Sequence, residues 1–141
     1  MYDDILFPVS FYLLDQSDVR RHGEAIASGF DADVHLLSLT LQDEGKSDVE
    51  EHRQSFESFA SSLRESGVNV TTELRDEPVE YEDVAGYIAD EADDYDLILM
   101  GHTRVSHKRG GDTETTAHKL VDMSPVPVIT VPLGAPRFRD V

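Results

Sequence analysis

The stretch of sequence best suited to chemistry is a loop rich in cations that leads into hydroxyl side chains. It carries Arg104, Lys108 and Arg109, and two hydroxyl groups follow at Thr115 and Thr116. Backbone N–H groups at the start of a helix attract anions, and hydroxyl groups and cations add donors and charge. These residue types favour a phosphate or another small anionic ligand. A solvated loop whose cations pair with nearby carboxylates is the alternative, because loops serve both purposes.

Other kinds of reactive site find little support in the sequence. There is no cysteine, which excludes disulfides, thiolate metal sites and cysteine nucleophiles. Six histidines are present, but none has zinc-site spacing, and the loop that carries two of them is cationic. Nucleophile elbows, Walker loops and the His-x-Gly-His or Ser-Gly-Gly-x-Asp motifs of transferases and ligases are absent. We therefore predict no metal, no catalytic residues and no enzymatic activity, and a transferase or ligase is the weakest alternative.

The charge of the chain restricts its partners. Twenty-nine Asp and Glu residues stand against 12 Lys and Arg, which leaves a formal net charge of −17. Nucleic acids and anionic membranes attract cationic surfaces, so neither is an expected partner. The composition favours a halophilic protein, because molar salt shortens the Debye length to about 3 Å and screens carboxylate repulsion. An ordinary acidic protein is the alternative. The acidic start of the chain and the lack of a membrane-length apolar run predict a cytoplasmic location.

Strand-like and helix-like patterns alternate along a predicted single domain, residues 1–141, with a core over about 4–132 and a tail over 133–141. Apolar runs predict strands at 5–9, 34–41, 68–74, 97–100 and 126–131. Helical spacing predicts helices at about 15–29, 47–66, 81–92 and 115–123. Gly29 and Gly67 are expected to end the first two helices, Val121 to point inward, and Pro78 to lie in a loop. The alternation predicts an α/β fold with a parallel sheet.

In open parallel sheets, ligands bind beyond the carboxyl ends of the strands, where the strand order reverses. Three segments of this chain are expected to meet there: the end of strand one, the end of strand two, and the loop after strand four. The candidate ligand-binding residues share that location, and they are Pro8, Val9, Ser10, Leu39, Met100, Gly101, Arg104, Lys108, Arg109, Thr115 and Thr116.

The sequence resembles the universal stress protein (UspA-like) domains from about residue 4 to residue 132. The resemblance lies in Ile5-Leu6-Phe7-Pro8-Val9, in Met100-Gly101, in Ala117-x-x-Leu120-Val121 and in Ser124-Pro125-Val126-Pro127-Val128-Ile129-Thr130-Val131-Pro132. It implies an open twisted sheet of five parallel strands in the order 3-2-1-4-5, Rossmann-like and similar to the adenine nucleotide alpha hydrolases, with helices on both faces. It also implies a homodimer through strand five, whose apolar edge needs a partner. The interface candidates are Val126, Val128, Ile129, Thr130 and Val131.

Family members that bind ATP share a Gly-x2-Gly-x9-Gly-(Ser/Thr) loop and an Asp after strand one. Gly101 and Thr115 match that pattern, whereas Arg104, Glu114 and Ser10 replace the second glycine, the third glycine and the Asp. Glycines let the backbone approach phosphates, and a carboxylate repels a triphosphate. We therefore expect a non-catalytic stress-response or regulatory domain that does not bind ATP in the usual way. A module that binds ATP, AMP or another anion through the cationic loop is the alternative.

Overall fold

Five parallel strands form the central sheet of the molecule. They are listed in chain order as β1 (Asp4–Pro8), β2 (Asp33–Leu41), β3 (Val70–Val79), β4 (Leu97–Thr103) and β5 (Val128–Leu133). Their spatial order is β3-β2-β1-β4-β5, and every neighbouring pair is parallel. The expected 3-2-1-4-5 order is confirmed. The order reverses between β1 and β4, and in such sheets this is where a ligand cleft forms.

Four helices connect the strands: α1 (Ser17–Phe30), α2 (Lys46–Glu65), α3 (Val84–Glu91) and α4 (Thr116–Met123). Single 3-10 turns flank α3 at Tyr81–Asp83 and Ala92–Asp94. The structure, a computed structural model, describes residues 2–11, 14, 17–42, 46–103 and 115–133. The side chains of residues 46, 47, 102, 103, 132 and 133 are not among those described. In the part of the chain so described, no helix is both long and apolar enough to cross a membrane.

Side chains alternate between the two faces of the sheet and build one apolar core on each face. Phe7 and Leu36 pack with Phe59 of α2 on the face that α1 and α2 cover. Leu6 and Leu37 pack on the opposite face, against α3 and α4. Successive residues of a strand point to opposite faces, so a strand that is buried on both sides is apolar throughout. This accounts for the unbroken apolar runs that predicted the inner strands.

Several boundaries differ from the sequence-based expectation. β3 begins two residues later than predicted and continues to Val79, so that Pro78 lies inside a strand and not in a loop. β3 is an edge strand, as expected, and an edge tolerates a proline because one side of the strand has no ladder to donate to. α1 continues past Gly29, and the residue with positive φ is Asp31 (φ 54°). Gly67 does follow the end of α2 with φ 95°.

Two further predictions, one for α4 and one for β5, need correction. Val121 points outward and is 62% exposed, because the short α4 buries only the narrow stripe of Ala117 and Leu120. Val126 precedes β5, which begins at Val128, so the last strand starts two residues later than predicted.

Candidate functional site

The carboxyl edge of the sheet at β1 and β4 is built from buried backbone. Ile5 pairs with Leu97, so Val9 and Gly101, each four residues further along, arrive at the same edge. Gly101 is buried, and Val9 N–H donates to the carbonyl of Leu37 at 2.9 Å. These contacts hold the ends of β1, β2 and β4 side by side, as the cleft requires.

Two buried polar side chains hold the backbone in place at this edge of the sheet. Ser38 on β2 and His52 on α2 are each 1% exposed. The Ser38 hydroxyl donates to the carbonyl oxygen of Val9 at 2.6 Å, and His52 Nε2 lies 2.7 Å from the same hydroxyl oxygen. The ring of Phe11 packs at 5.1 Å, centroid to centroid, from the His52 ring. These two contacts thereby link α2 to Val9, the residue that precedes Ser10.

The direction of these hydrogen bonds decides what the pair can do chemically. A serine hydroxyl has one proton, and this one is donated to the Val9 carbonyl. His52 Nε2 must then carry a hydrogen and donate it to the Ser38 oxygen. An activated nucleophile needs the opposite arrangement, with the imidazole accepting the hydroxyl proton. The pair is therefore built to hold the backbone in place.

The start of α4 is the second element that faces this edge. The Thr115 side chain accepts a hydrogen bond from the N–H of His118 at 3.1 Å, which makes Thr115 the N-cap of the helix. An N-cap satisfies one of the backbone donors that a helix start leaves without an intrahelical partner. Thr115 and Thr116 are both half-buried.

The remaining candidates divide into two groups. Pro8 ends β1, and Leu39 and Met100 lie near the carboxyl ends of β2 and β4; all three are buried. Ser10, two residues beyond β1, is half-buried. The cationic loop residues Arg104, Lys108 and Arg109, together with Glu114, lie outside the described residues. The structure therefore brings together the apolar and backbone half of the predicted site.

A separate polar cluster lies on β2 and β3, beside the end of α3. The His35 ring stacks on Tyr95 at 5.6 Å, with Nδ1 at 2.7 Å from Thr71 Oγ1 and Nε2 at 3.2 Å from Glu73 Oε1. Arg75 Nε donates to Glu73 Oε2 at 2.6 Å, and its Nη2 donates to Glu91. Both nitrogens of His35 thus have partners within the fold, which suits a structural role for this histidine.

The charges of this cluster shift its pKa values. The hydrogen bond from Arg75, helped by one from His35, lowers the pKa of Glu73 although burial acts in the opposite direction. The hydrogen bond to Glu73 raises the pKa of Arg75. Burial, followed by the carboxylate of Glu91, raises the pKa of Tyr95. The pKa shifts of Glu73 and Arg75 both favour the charged form of the ion pair between these two residues.

Sequence reasoning missed the partnership of Ser38 with His52. A signal was present, because His52 continues the α2 stripe of Val49, Phe56 and Phe59 at helical spacing. A histidine on such a stripe is expected to be buried, although the stripe does not say which strand residue it meets.

The fifth strand ends the sheet on its other side. β5 pairs with β4 alone among the described strands, so its outer edge is open to a further strand. Val128, Ile129 and Thr130 are half-buried, whereas Val131 is buried within the chain's own core. Val131 would thus contribute only its backbone to an interface. In the same described part of the chain, no three His, Asp or Glu side chains group in a way that would hold a metal ion.

The fold is shared with solved universal stress proteins. No protein-family model matches the sequence, and no curated protein matches it either. A universal stress family protein from Burkholderia pseudomallei superposes with a TM-score of 0.68 at 20% identity, covering 94% of this chain and 97% of the other. The universal stress protein from Archaeoglobus fulgidus in complex with dAMP has a TM-score of 0.63 at 21% identity, covering 92% and 97%. A universal stress protein in complex with cAMP has a TM-score of 0.65 at 18% identity, with the same coverage. This chain therefore has the fold of the universal stress proteins.

Proposed function

We propose that this chain is a non-catalytic regulatory domain of the universal stress protein family, acting in a salt-rich cytoplasm and not binding ATP in the usual way. The observation that carries the proposal is the parallel 3-2-1-4-5 sheet, which superposes on universal stress proteins over more than nine-tenths of the chain. The bonding of Ser38 and His52 supports a role without catalysis, because that pair is arranged to hold backbone.

Residue chemistry at the cleft supports the loss of usual ATP binding. Ser10 follows β1 where ATP-binding relatives have an acidic side chain, so a partner for ribose hydroxyls is replaced by a shorter group. Glu114 directly precedes the N-cap Thr115, and its charge opposes a triphosphate there. Gly101 alone of the three loop glycines is kept.

Isothermal titration calorimetry with Mg·ATP in molar KCl tests this proposal. We expect no saturable binding in the micromolar range and no release of phosphate over hours. Micromolar binding of Mg·ATP that is lost in Arg104→Gln would overturn the proposal, and so would steady release of phosphate. Val121→Gln, which changes an exposed residue of α4, is the matched control.

A second candidate function is the binding of an adenine mononucleotide. Two observations favour it: a buried glycine, Gly101, near the end of β4 and a threonine-capped start of the following helix, together with structural neighbours that hold dAMP and cAMP. A mononucleotide brings fewer negative charges toward Glu114 than a triphosphate does. Titration with AMP and cAMP, together with the absorbance of the purified protein at 260 nm, tests it. Binding that weakens in Thr115→Ala and persists in Thr115→Ser is the expected result, and no heat with either ligand contradicts it.

We also propose that two copies associate through the open edge of β5. An apolar edge strand exposes unpaired backbone groups that a second strand can satisfy. Sedimentation equilibrium is expected to give twice the chain mass of 15.7 kDa. Thr130→Lys places a charge on the half-buried edge and is expected to yield monomers, whereas Val121→Lys, on exposed α4, leaves the dimer intact. A monomeric wild-type protein, or two variants that behave alike, would refute this interface.

A further inference from the structure

A groove of about 440 Å³ lies between α3 and α4, and of the candidate ligand-binding residues that the structure describes, none lines it. Two large side chains in its lining are exposed to solvent, Tyr87 and Met123, the latter by 48%. An exposed apolar patch with a polar rim often marks an interaction site.

The groove is acidic as well as apolar. Glu82 and Asp83 line the end where α3 begins, and Asp90 lines it one to two turns further along. Lys119 is the cation in the lining, and its ammonium group lies 5.9 Å from the centre of the Tyr81 ring. Among the described lining residues, three carboxylates stand against one ammonium group, a negative balance that suits a cationic occupant with an apolar side chain.

The chain itself contains such a segment beyond its last strand. Arg137, Phe138 and Arg139 follow β5 closely and place an aromatic ring between two guanidinium groups, with Asp140 after them. In a chain with 12 basic residues against 29 acidic ones, this pairing is unusual. These residues lie outside those that the structure describes.

The topology brings the tail to the correct end of the groove. β5 ends at Leu133 on the carboxyl edge of the sheet, where α3 and α4 both begin, because each helix runs back against its preceding strand. α4 contacts β4, β5 and α3, so one helix separates the end of β5 from the groove. A helix is about 10–12 Å wide. Met123 is the last residue of α4, about 10 Å along the helix axis from Thr116. Five extended residues, from 134 to 138, span up to about 17 Å, enough for a diagonal path across the helix to Met123.

We propose that the C-terminal tail of the same chain docks in this groove, with Arg137 and Arg139 on the acidic lining and Phe138 against Met123 and Tyr87. Guanidinium groups form strong charge-assisted hydrogen bonds to carboxylates, and a thioether packs well against an aromatic ring. We call this intramolecular contact, in which residues 137–139 cross α4 to reach the groove, the clasp; it is separate from the cleft at the strand ends.

Methionine methyl NMR of the 141-residue chain tests the clasp in 0.15 M KCl, where the Debye length is about 8 Å. The chain has three methionines, of which buried Met100 is an internal reference and Met123 reports on the groove. Phe138→Ala removes the ring, and Arg137→Gln/Arg139→Gln removes two charges from the tail. The matched control is Lys108→Gln/Arg109→Gln, which removes two charges from the loop. Met123→Leu assigns the signal, and circular dichroism checks that each variant is folded.

We expect both tail variants to move the Met123 methyl signal by more than its line width, while Met100 stays in place. The loop variant is expected to leave Met123 unchanged, and dilution of the wild-type protein is expected to have no effect. A Met123 signal that ignores either tail variant overturns the clasp. An equal response to the loop variant assigns the effect to general charge, and a response to dilution assigns the groove to a second copy; both results also overturn the proposal.

Discussion

Replacing Ser38 with alanine removes one oxygen atom from the most buried polar contact among the residues that the structure describes. The Ser38 hydroxyl donates to the Val9 carbonyl oxygen at 2.6 Å and lies 2.7 Å from His52 Nε2, and Ser38 and His52 are each 1% exposed. Ser38→Ala therefore takes a partner from two groups that water does not reach. Each buried polar group that loses its partner costs about 1–3 kcal/mol, so we expect a loss of about 2–4 kcal/mol in the free energy of unfolding.

Urea unfolding followed by far-ultraviolet circular dichroism measures this loss, because the chain has no tryptophan. Ser28→Ala is the matched control, since it makes the same change at an exposed position of α1 and is expected to alter stability by less than about 0.5 kcal/mol. The slope of the free energy against urea is expected to stay constant, so that the midpoint alone moves.

A double-mutant cycle with His52→Leu separates the contact from its surroundings. Residues in direct contact show coupling of about 0.5–3 kcal/mol, so the double variant is expected to be more stable than the sum of the single losses implies. Full additivity of Ser38→Ala and His52→Leu would refute the hydrogen bond between them. A loss below about 0.5 kcal/mol for Ser38→Ala would refute the role of the hydroxyl.

Three further predictions follow from single contacts. Gly23→Ala would place a Cβ 2.5 Å from a ring carbon of buried Phe7 and is expected to cost about 1–3 kcal/mol, whereas Gly29→Ala in the same helix meets open space; equal melting temperatures would contradict this. Since its pKa is lowered in the fold, the Glu73 carboxylate contributes stability above its unfolded pKa and loses that contribution as the pH falls through the folded value. Glu73→Gln is thus expected to lower the free energy of unfolding by about 0.2–1 kcal/mol at pH 7 and to leave it unchanged in strong acid. A difference in urea midpoint between the variant and the wild-type protein that persists in acid would contradict this contribution of the carboxylate. Thr115→Ala removes the cap of α4 and is expected to cost about 0.5–2 kcal/mol, most of which Thr115→Ser restores in thermal unfolding; a serine variant no more stable than the alanine variant would argue against the cap.

The inner strands were predictable because a strand that is buried on both faces has apolar residues at successive positions. For this reason, the ends of β1 lie within one residue of the prediction, and those of β4 lie within three residues of it. Edge strands were harder, since an exposed face admits polar residues. β3 runs through Pro78 for several residues beyond its prediction, because at an edge a missing N–H leaves no buried carbonyl without a donor.

Side-chain partners on different elements were not predictable. His52 follows a helical stripe that the sequence displays, but it meets Ser38 only because β2 and α2 pack at one particular register. His35 likewise contacts Thr71, Glu73 and Tyr95, which come from two other parts of the chain. Such partners are 14 to 60 positions apart in the printed sequence, where no local period connects them.

By itself, the sequence determined the alternation of strands and helices, the burial of the inner strands, and the residue chemistry at the end of β4. These properties depend on local periodicity and on residue type, which are read along one segment at a time. Only the tertiary structure decided that Ser38 and His52 hold Val9 at the strand ends, and that Glu82, Asp83 and Asp90 share a groove with Met123. Contacts of that kind depend on how the helices lie on the sheet, which is set by the packing of the whole core and not by any one segment.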